Sequence, residues 1–256
     1  IRKYGYRTLG EALGAVRGFY FTNDRMYDYS GIRGLAIPGD YNSRFLVMLN
    51  SHPLTENIYN SNNFFGQDFG LDMDMVERIE IIRGPSSALF GSNGMLATIN
   101  VITLAPVDHP QFRVSMEAGS FGEKKAIVSS SFDLGKGANL LISMSMFNNG
   151  GRSLYFPEFD RPETRGGVAD NVDAQKGYHT LAQLTWGRWS FTGYFNSRDI
   201  RVPVGGGSTI FGSQGGHARD QRDFAGVNYT RDVGKTGQLR WQFSYDRYRY
   251  NDRWDY

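Results

Sequence analysis

The stretch VERIEIIRGPSSALFG, residues 76–91, decides how the first part of the chain is interpreted. Its first eight residues are β-branched or charged in partial alternation, which predicts a strand over 76–83. Gly84 ends that strand. Pro85 suits the first turn of a short helix that we expect to run through Leu89. A strand followed at once by a glycine turn and a short helix is typical of a mixed α/β segment.

The residues on both sides of this stretch extend the mixed α/β pattern. TINVIT, residues 98–103, predicts a further strand, and FLVML, residues 45–49, predicts a strand buried on both faces. Thr8 is placed to cap a short helix that Gly18 ends. Its apolar stripe comprises Leu9, Ala12, Leu13 and Val16. We therefore predict one mixed α/β domain over residues 1–106, followed by a linker around Pro106 and Pro110.

From about residue 111 the pattern changes to strict alternation, the period of a strand with two different faces. The clearest case is residues 239–246, where one face is apolar and aromatic (Leu239, Trp241, Phe243, Tyr245) and the other polar (Arg240, Gln242, Ser244, Asp246). The alternation predicts seven antiparallel strands, at about 111–119, 123–132, 138–147, 177–187, 189–199, 221–231 and 238–250.

The connections between these strands favour a transmembrane β-barrel over residues 107–256. Short turns (133–137, 187–188, 232–237) alternate with long loops (148–176, 200–220), the arrangement found in outer-membrane barrels. The first link, 119–122, is an exception, because it is short on the side of the long loops. A soluble sandwich also shows alternation, although its strands usually have about 5–6 residues.

Composition excludes several classes of function. The 256 residues carry 28 Lys and Arg against 26 Asp and Glu, a net charge of +2 that gives no reason to expect nucleic acid as a partner. Cys is absent, and the four His residues lack metal-site spacing, so we predict no enzyme, no cofactor and no metal site. No apolar run of about 18 residues predicts a transmembrane helix, whereas a barrel strand crosses with about 9–11 alternating residues.

Two features indicate a piece of a longer protein. Seven strands cannot close the even-numbered barrel of bacterial outer membranes. The chain also begins at Ile1 without a visible signal peptide.

Residues 76–91 resemble the plug signature of TonB-dependent outer-membrane receptors, and INVIT, residues 99–103, resembles the end of that domain. TLGEAL at 8–13 and IRG at 32–34 match the same family in order and spacing. EAGSFG at 117–122 resembles the family's first barrel hairpin.

The resemblance implies a barrel of about 22 strands, of which about seven are present here, occluded by the N-terminal plug. It also implies the Gram-negative outer membrane as location, with membrane lipid and TonB as partners. TonB would act through a TonB box that this chain lacks. One departure is LNS at 49–51, where the family commonly has Leu-Asp-Gly. Asn tolerates left-handed geometry, but Ser does so poorly.

The resemblance also suggests functional residues. Arg33 and Arg83 are expected to pair with carboxylates of the barrel wall and hold the plug, since a charge in a confined site should be partnered. The remaining members of this predicted locking set are conformational or structural: Gly34, Gly84, Pro85, Gly91 and Asn100. The family's plug loops face outward, which makes residues of two Gly-, Asn- and aromatic-rich loops candidate ligand contacts: Tyr41, Asn42, Tyr59, Asn60 and Phe64. An ordinary polar loop remains the alternative.

The predicted function is TonB-energised import of a scarce nutrient by a monomeric receptor. A ferric siderophore is the favoured ligand, because iron carriers are the family's commonest substrates. Cobalamin, a saccharide or a peptide are alternative ligands. A passive porin-like barrel and a soluble β-rich binding module are alternative classes.

Overall fold

The computed structural model describes residues 2–36, 39–62 and 65–256. The chain divides into two compact units, residues 1–104 and residues 105–256, with the division two residues before the predicted boundary. None of the helices among the described residues is long and apolar enough to cross a membrane.

The first unit is a mixed α/β structure built on a four-stranded sheet. Its elements are α1 (Leu9–Gly14), β1 (Phe19–Asn23), β2 (Asp28–Ile32), β3 (Phe45–Leu49), β4 (His52–Pro53), β5 (Val76–Arg83), α2 (Ser87–Phe90) and β6 (Ala97–Thr103). The strand order is β4-β3-β6-β5, with β3 parallel to β6 and the other two pairs antiparallel. Strands β1 and β2 form a separate antiparallel hairpin.

The core of this unit lies on β3 and β6, as the apolar runs predict. All five residues of β3 are buried, as expected for a strand covered on both faces. Ile99 and Val101 of β6 are fully buried beside them, and α1 adds Leu9 and Leu13. Burial of this many large apolar side chains supplies the main stabilising term of the unit.

Both predicted helices occur, but their bounds differ from the prediction. Thr8 caps α1 by accepting a hydrogen bond from the Glu11 amide. The helix ends at Gly14, so the prediction that Val16 belongs to its apolar stripe is wrong, because Val16 already forms the turn into β1. The predicted start of the second helix at Pro85 is also wrong. Ser86 has non-helical dihedrals and its amide donates to Gly94 O, which leaves Ser87 as the first helical residue.

The turn after β3 shows how the Leu-Asn-Ser sequence is accommodated. Asn50 and Ser51 both have positive φ, at 50° and 66°. The Asn50 side chain accepts from the Thr103 amide (3.0 Å) and donates to Thr103 Oγ1 (2.9 Å). Asn100 Oδ1 accepts from the Ser51 amide at 2.9 Å. Side-chain hydrogen bonds therefore hold a turn for which Ser is a poor conformational choice.

The second unit contains nine strands, and seven of them form one antiparallel sheet. Its strands are β7 (Phe112–Ala118), β8 (Lys124–Gly135), β9 (Ala138–Asn149), β10 (Arg152–Tyr155), β11 (Val168–Val172), β12 (Gln175–Trp186), β13 (Trp189–Arg201), β14 (His217–Val233) and β15 (Gly237–Arg253). The order in the sheet is β7-β8-β9-β12-β13-β14-β15, and each of the seven predicted strands corresponds to one of these. Strands β10 and β11 form a small hairpin inside the predicted loop 148–176.

The two faces of this sheet differ in an unusual way. One face carries exposed apolar side chains, including Met116 at 81% and Met146 at 72% exposure. The opposite face buries large apolar side chains such as Leu141, Leu181 and Tyr194 together with many polar ones: Ser129, Ser143, Ser145, His179, Asn196, Arg198, Asp220 and Arg222. A soluble sandwich would bury its apolar face, so this arrangement contradicts the sandwich alternative.

We expect Asn50→Ala to loosen the turn between β3 and β4. The substitution leaves the buried Thr103 amide without its acceptor, which should cost roughly 1–3 kcal/mol locally. The measurement is hydrogen–deuterium exchange of the 100–104 segment in the full-length protein, which should accelerate. Asn57→Ala, in an exposed loop, is the control. Equal protection in both variants would contradict the role of Asn50.

Candidate ligand-binding surface of the first unit

The loop over residues 39–44 is fastened to the β1–β2 hairpin by one asparagine. Asn42 is fully buried; its Oδ1 accepts from the Ser30 amide at 2.7 Å and its Nδ2 donates to Asp28 O at 2.9 Å. The amide group thus bonds the β2 backbone much as a neighbouring strand would. Tyr41 and Asn42 have φ of 50° and 56°, so the chain reverses here.

The loop over residues 56–61 is organised around a buried carboxylate. Glu56 is 2% exposed and accepts hydrogen bonds from three backbone amides, those of Ile58 (2.6 Å), Tyr59 (2.8 Å) and Ser61 (3.0 Å). On the other side, Asn93 Nδ2 donates to Asn60 O at 2.8 Å. Charge-assisted bonds of this kind are among the stronger ones. The loop is therefore held in one conformation from within.

Three tyrosine rings stand in a row on these elements, and we call Tyr29, Tyr41 and Tyr59 the tyrosine row. The rings of Tyr41 and Tyr59 are stacked, with centroids 5.9 Å apart and planes at 25°. Tyr29 lies 6.2 Å from Tyr41. Tyr41 is 41% exposed and Tyr59 69% exposed, so the row offers aromatic surface to solvent.

Tyr29 ends the row as a neutral hydrogen-bonding group. Its hydroxyl donates to Asp24 Oδ2 at 2.9 Å. Burial, followed by this hydrogen bond, raises the pKa of Tyr29 well above its ordinary value. The phenol therefore stays protonated at physiological pH and contributes ring surface, with no phenolate charge.

The predicted ligand residues are thus placed in different ways. Tyr41 and Tyr59 lie together and exposed, whereas the Asn42 side chain points into the structure. Asn60 has a positive φ of 55° and offers its carbonyl to Asn93. Phe64 lies outside the described residues. Sequence reasoning missed Tyr29 and Glu56, because only folding brings Tyr29 next to Tyr41, and nothing in the sequence marks Glu56 as buried.

Arg33 and Gly34 of the predicted locking set form a two-residue turn. Both have positive φ, at 52° and 79°, and Ile32 and Leu35 exchange backbone hydrogen bonds across them. The Arg33 amide donates to Gly18 O at 2.9 Å, and its side chain is exposed. This is the geometry of a type I′ hairpin turn, which needs left-handed residues at both positions.

The other members of the set surround β5 and β6. Arg83 donates to Arg17 O at 3.1 Å from its guanidinium. Gly84 (φ 111°) and Gly91 (φ 86°) adopt dihedrals that favour glycine, with Pro85 between them. Asn100 joins three segments, since its Nδ2 also donates to Glu80 Oε2 at 3.1 Å.

The second unit carries its own ordered loops. Phe159 stacks on Phe211 at 4.3 Å, which joins the loop that contains β10 and β11 to the loop between β13 and β14. Gln214 bonds Asn171 Nδ2 (2.6 Å) and Arg201 (3.2 Å). Hydrogen bonds from Ser153 and then Arg165 hold the pKa of Asp170 below its ordinary value. Within the described residues, no group of three or more His, Asp or Glu side chains is placed to hold a metal ion.

Comparison with known proteins relates the first unit to a protein family. Residues 1–98 match the TonB-dependent Receptor Plug Domain family. The ferrichrome outer membrane transporter/phage receptor of Escherichia coli K12 is 34% identical over 94 residues, 37% of this chain and 11% of the relative. The vitamin B12 transporter BtuB of Vibrio vulnificus is 32% identical over 88 residues, 34% of this chain and 14% of the relative. The resemblance deduced from the sequence is confirmed, and these relatives are transporters, in agreement with the expectation that the chain is no enzyme.

The whole chain also has a structural relative. The ferric yersiniabactin uptake receptor FyuA from Yersinia pestis superimposes with a TM-score of 0.71 over 98% of this chain and 40% of that one, at 14% identity. The likeness shows the fold, a plug domain followed by antiparallel strands of a partial barrel. The chain spans well under half the length of each of these proteins.

We expect substitution of Glu56 to disorder the loop that carries Tyr59. Glu56→Gln keeps one acceptor oxygen and should free mainly the Ile58 amide, whereas Glu56→Ala frees all three. Amide exchange over 57–61 should accelerate in that order, by roughly tenfold or more for alanine. Glu163→Gln, on an exposed turn of the second unit, is the control. Unchanged exchange in Glu56→Ala would contradict the assignment.

Proposed function

We propose that this chain, which carries the plug domain of a TonB-dependent receptor, forms part of an outer-membrane receptor for TonB-energised import of a ferric siderophore. In this proposal residues 1–106 form the plug and residues 107–256 supply the first seven of about 22 strands of a plugged barrel. TonB, the surrounding lipid and one small-molecule ligand are the partners of a monomer in the Gram-negative outer membrane.

The exposed apolar face of the sheet carries the membrane part of the proposal. Its aromatic side chains gather near the turns that join β12 to β13 and β14 to β15. Trp186, Trp189, Tyr229 and Trp241 lie in one row of directly paired positions. Aromatic residues at one edge of an apolar band are typical of the interfacial girdle of outer-membrane barrels.

At the other edge of the apolar band, the boundary between apolar and charged residues runs obliquely across the sheet. This boundary favours strands that cross the membrane at a tilt. Paired positions form a row from Val114 through Val128 and Met144 to Asp223 and Arg247, so one row is apolar at β7 and charged at β15. From β7 to β15, the edge of the apolar surface is displaced by four residues along the strand direction, about 13 Å. Across the sheet, the same two strands are separated by six strand spacings of about 4.8 Å.

That displacement corresponds to an angle of roughly 25° between the apolar boundary and the direction perpendicular to the strands. This angle is comparable in size to the strand tilt of about 35–45° in such barrels. A flat lipid layer meets tilted strands at successively different residues, which is the pattern observed here.

The tyrosine row supports a ligand-binding role for the first unit. Stacked, exposed rings on an immobilised loop provide contact area without an ordering cost at the moment of binding. The relatives are named for ferrichrome and vitamin B12, and the structural relative for ferric yersiniabactin. All three ligands are bulky organic metal complexes that suit an aromatic surface. We propose Tyr29, Tyr41, Tyr59 and Asn60 as ligand contacts; the sequence also predicts Phe64, which lies outside the described residues.

The locking role of Arg33 and Arg83 remains part of the proposal. Each would pair with a carboxylate of the barrel wall, and the glycines, Pro85 and Asn100 would fix the turns that present them. Both side chains are exposed in this chain, and a charge enclosed in a barrel lumen would require such a partner.

Energised uptake is the direct test of this function. The full-length receptor is expressed in cells with and without the coupling protein, and accumulation of ferrichrome and of vitamin B12 is measured. We expect accumulation of one ligand only in cells that contain the coupling protein. Equal accumulation in both strains would reject energised import and indicate a passive barrel.

The tyrosine row is tested by a matched pair of double variants. Tyr41→Ala with Tyr59→Ala removes both stacked rings and should weaken binding of the transported ligand about 10- to 100-fold. Tyr41→Phe with Tyr59→Phe keeps the ring area and should bind nearly as the unmodified receptor does. Equal affinity of the alanine and phenylalanine variants would show that the row is not a ligand contact.

A further inference from the structure

The linker predicted around Pro106 and Pro110 is part of the second unit, because the division between the units falls before Ala105. It contains a 3₁₀ turn, Pro106–Asp108, in which the Asp108 amide donates to Ala105 O at 3.0 Å. This turn lies against β8, β9 and β12, and Pro106 is buried. The linker is therefore a packed segment of the second unit.

Three consecutive serines of β8 bind the end of this linker. Ser131 Oγ donates to His109 O at 2.9 Å, and the Ser131 amide donates to Gln111 O at 3.1 Å. Ser130 Oγ also donates to Gln111 O. The Ser129 hydroxyl lies 2.9 Å from His109 Nε2. We call the three serines, together with His109 and Gln111, the serine clasp.

The ring of His109 is the buried member of the clasp on the linker side. Its Nδ1 lies 2.6 Å from Pro110 O. Because a carbonyl oxygen only accepts, Nδ1 carries the ring hydrogen, and Nε2 of the neutral ring accepts from the Ser129 hydroxyl. His109 is 4% exposed and Ser129 is 1% exposed. Loss of either partner therefore leaves a buried polar atom unpaired, which is costly.

The chain is also held on the other side of the division between the units. The Leu104 amide donates to Met75 O at 2.8 Å, and the Thr103 amide donates to Asn50 Oδ1 at 3.0 Å. Ala105 follows Leu104 directly and has extended dihedrals, to which the next residue, a proline, restricts it. Few backbone rotations are thus available where the first unit ends and the linker begins.

We propose that the serine clasp is a fixed anchor, which keeps the linker bound to β8 while the first unit is displaced during import. The displacement then begins at Leu104 and Ala105, and the end of β6 stays next to the linker throughout. Release of the linker would require the bonds of all three serines to break together, with loss of the buried 3₁₀ turn. This inference rests on the energised import proposed above, and it adds where the moving part of the receptor ends.

The anchor is tested without transport by hydrogen–deuterium exchange of residues 105–112 in the full-length receptor. Ser129→Ala combined with Ser131→Ala removes two hydroxyls of the clasp and should raise exchange about tenfold. Ser143→Ala combined with Ser145→Ala is the matched control and should leave exchange unchanged. These two serines are buried beside Ser129, and within the described residues their hydroxyls have no hydrogen-bond partner. Equal exchange in the two double variants would overturn the proposal.

A covalent bridge across the clasp tests whether it stays closed during import. His109→Cys with Ser129→Cys places two thiols in a chain that has no cysteine, and a short bis-thiosulfonate reagent joins them through disulfides that a reductant cleaves. Accumulation of ferrichrome and of vitamin B12 is measured in cells with the bridged and with the reduced receptor. We expect equal accumulation in both states.

The outcomes separate the anchor from the import function. Accumulation that is lost on bridging and restored by reduction would overturn the proposal, because the linker would then have to leave β8. A receptor that accumulates neither ligand, even when reduced, fails the proposed import. The exchange experiment then decides alone whether the serines anchor the linker.

Discussion

The structure of the second unit depends on one constraint: each strand must present an apolar surface to the outside and a polar surface to the inside of the same sheet. Ladder hydrogen bonds between neighbouring strands satisfy the backbone, which makes an exposed apolar face compatible with a lipid surrounding. The polar face then contains charges that need partners. Arg198 and Asp220 form a buried ion pair at 3.1 Å, and Tyr248 donates to the same carboxylate at 2.9 Å. The buried face thus combines charged groups with apolar side chains such as Leu141 and Tyr194, whereas the exposed face is mainly apolar.

The first unit meets a different constraint, which is to hold its surface loops in place although the chain has no cysteine. Its apolar core centres on β3, β6 and α1 and extends to Leu54, Phe65 and Met75, and several loops are held by buried side-chain oxygens. Asn42, Glu56 and Asn50 each bond backbone groups that no strand or helix satisfies. Leaving such groups unpaired in a buried position would cost about 1–3 kcal/mol each. Polar side chains therefore substitute for regular secondary structure where the chain turns.

Sequence reasoning was most successful where the spacing of apolar residues or a turn residue determines the local structure. The alternation of residues 239–246 and the apolar run of β3 predicted their strands closely, since few other structures place those side chains consistently. It failed where tertiary contacts decide. The bounds of α2 depend on the bond between Ser86 and Gly94, 8 residues apart. The inward orientation of Asn42 depends on β2, which the sequence analysis did not recognise as a strand. Two members of the tyrosine row, Tyr41 and Tyr59, were predicted as candidates because they lie in evident loops. Tyr29 was missed because it lies within β2.

The proposed ligand-binding role depends on exposed rings whose loops have buried anchors. Asn42 and Glu56, which hold the loops of Tyr41 and Tyr59, are buried, whereas both rings are exposed. A ligand that stacks on such rings does not have to order the loop first, and more of the contact energy appears as affinity. In the function proposed above, the same rigidity would restrict the ligand to shapes that match a fixed aromatic row, and selection at this surface would depend on ring contact and shape.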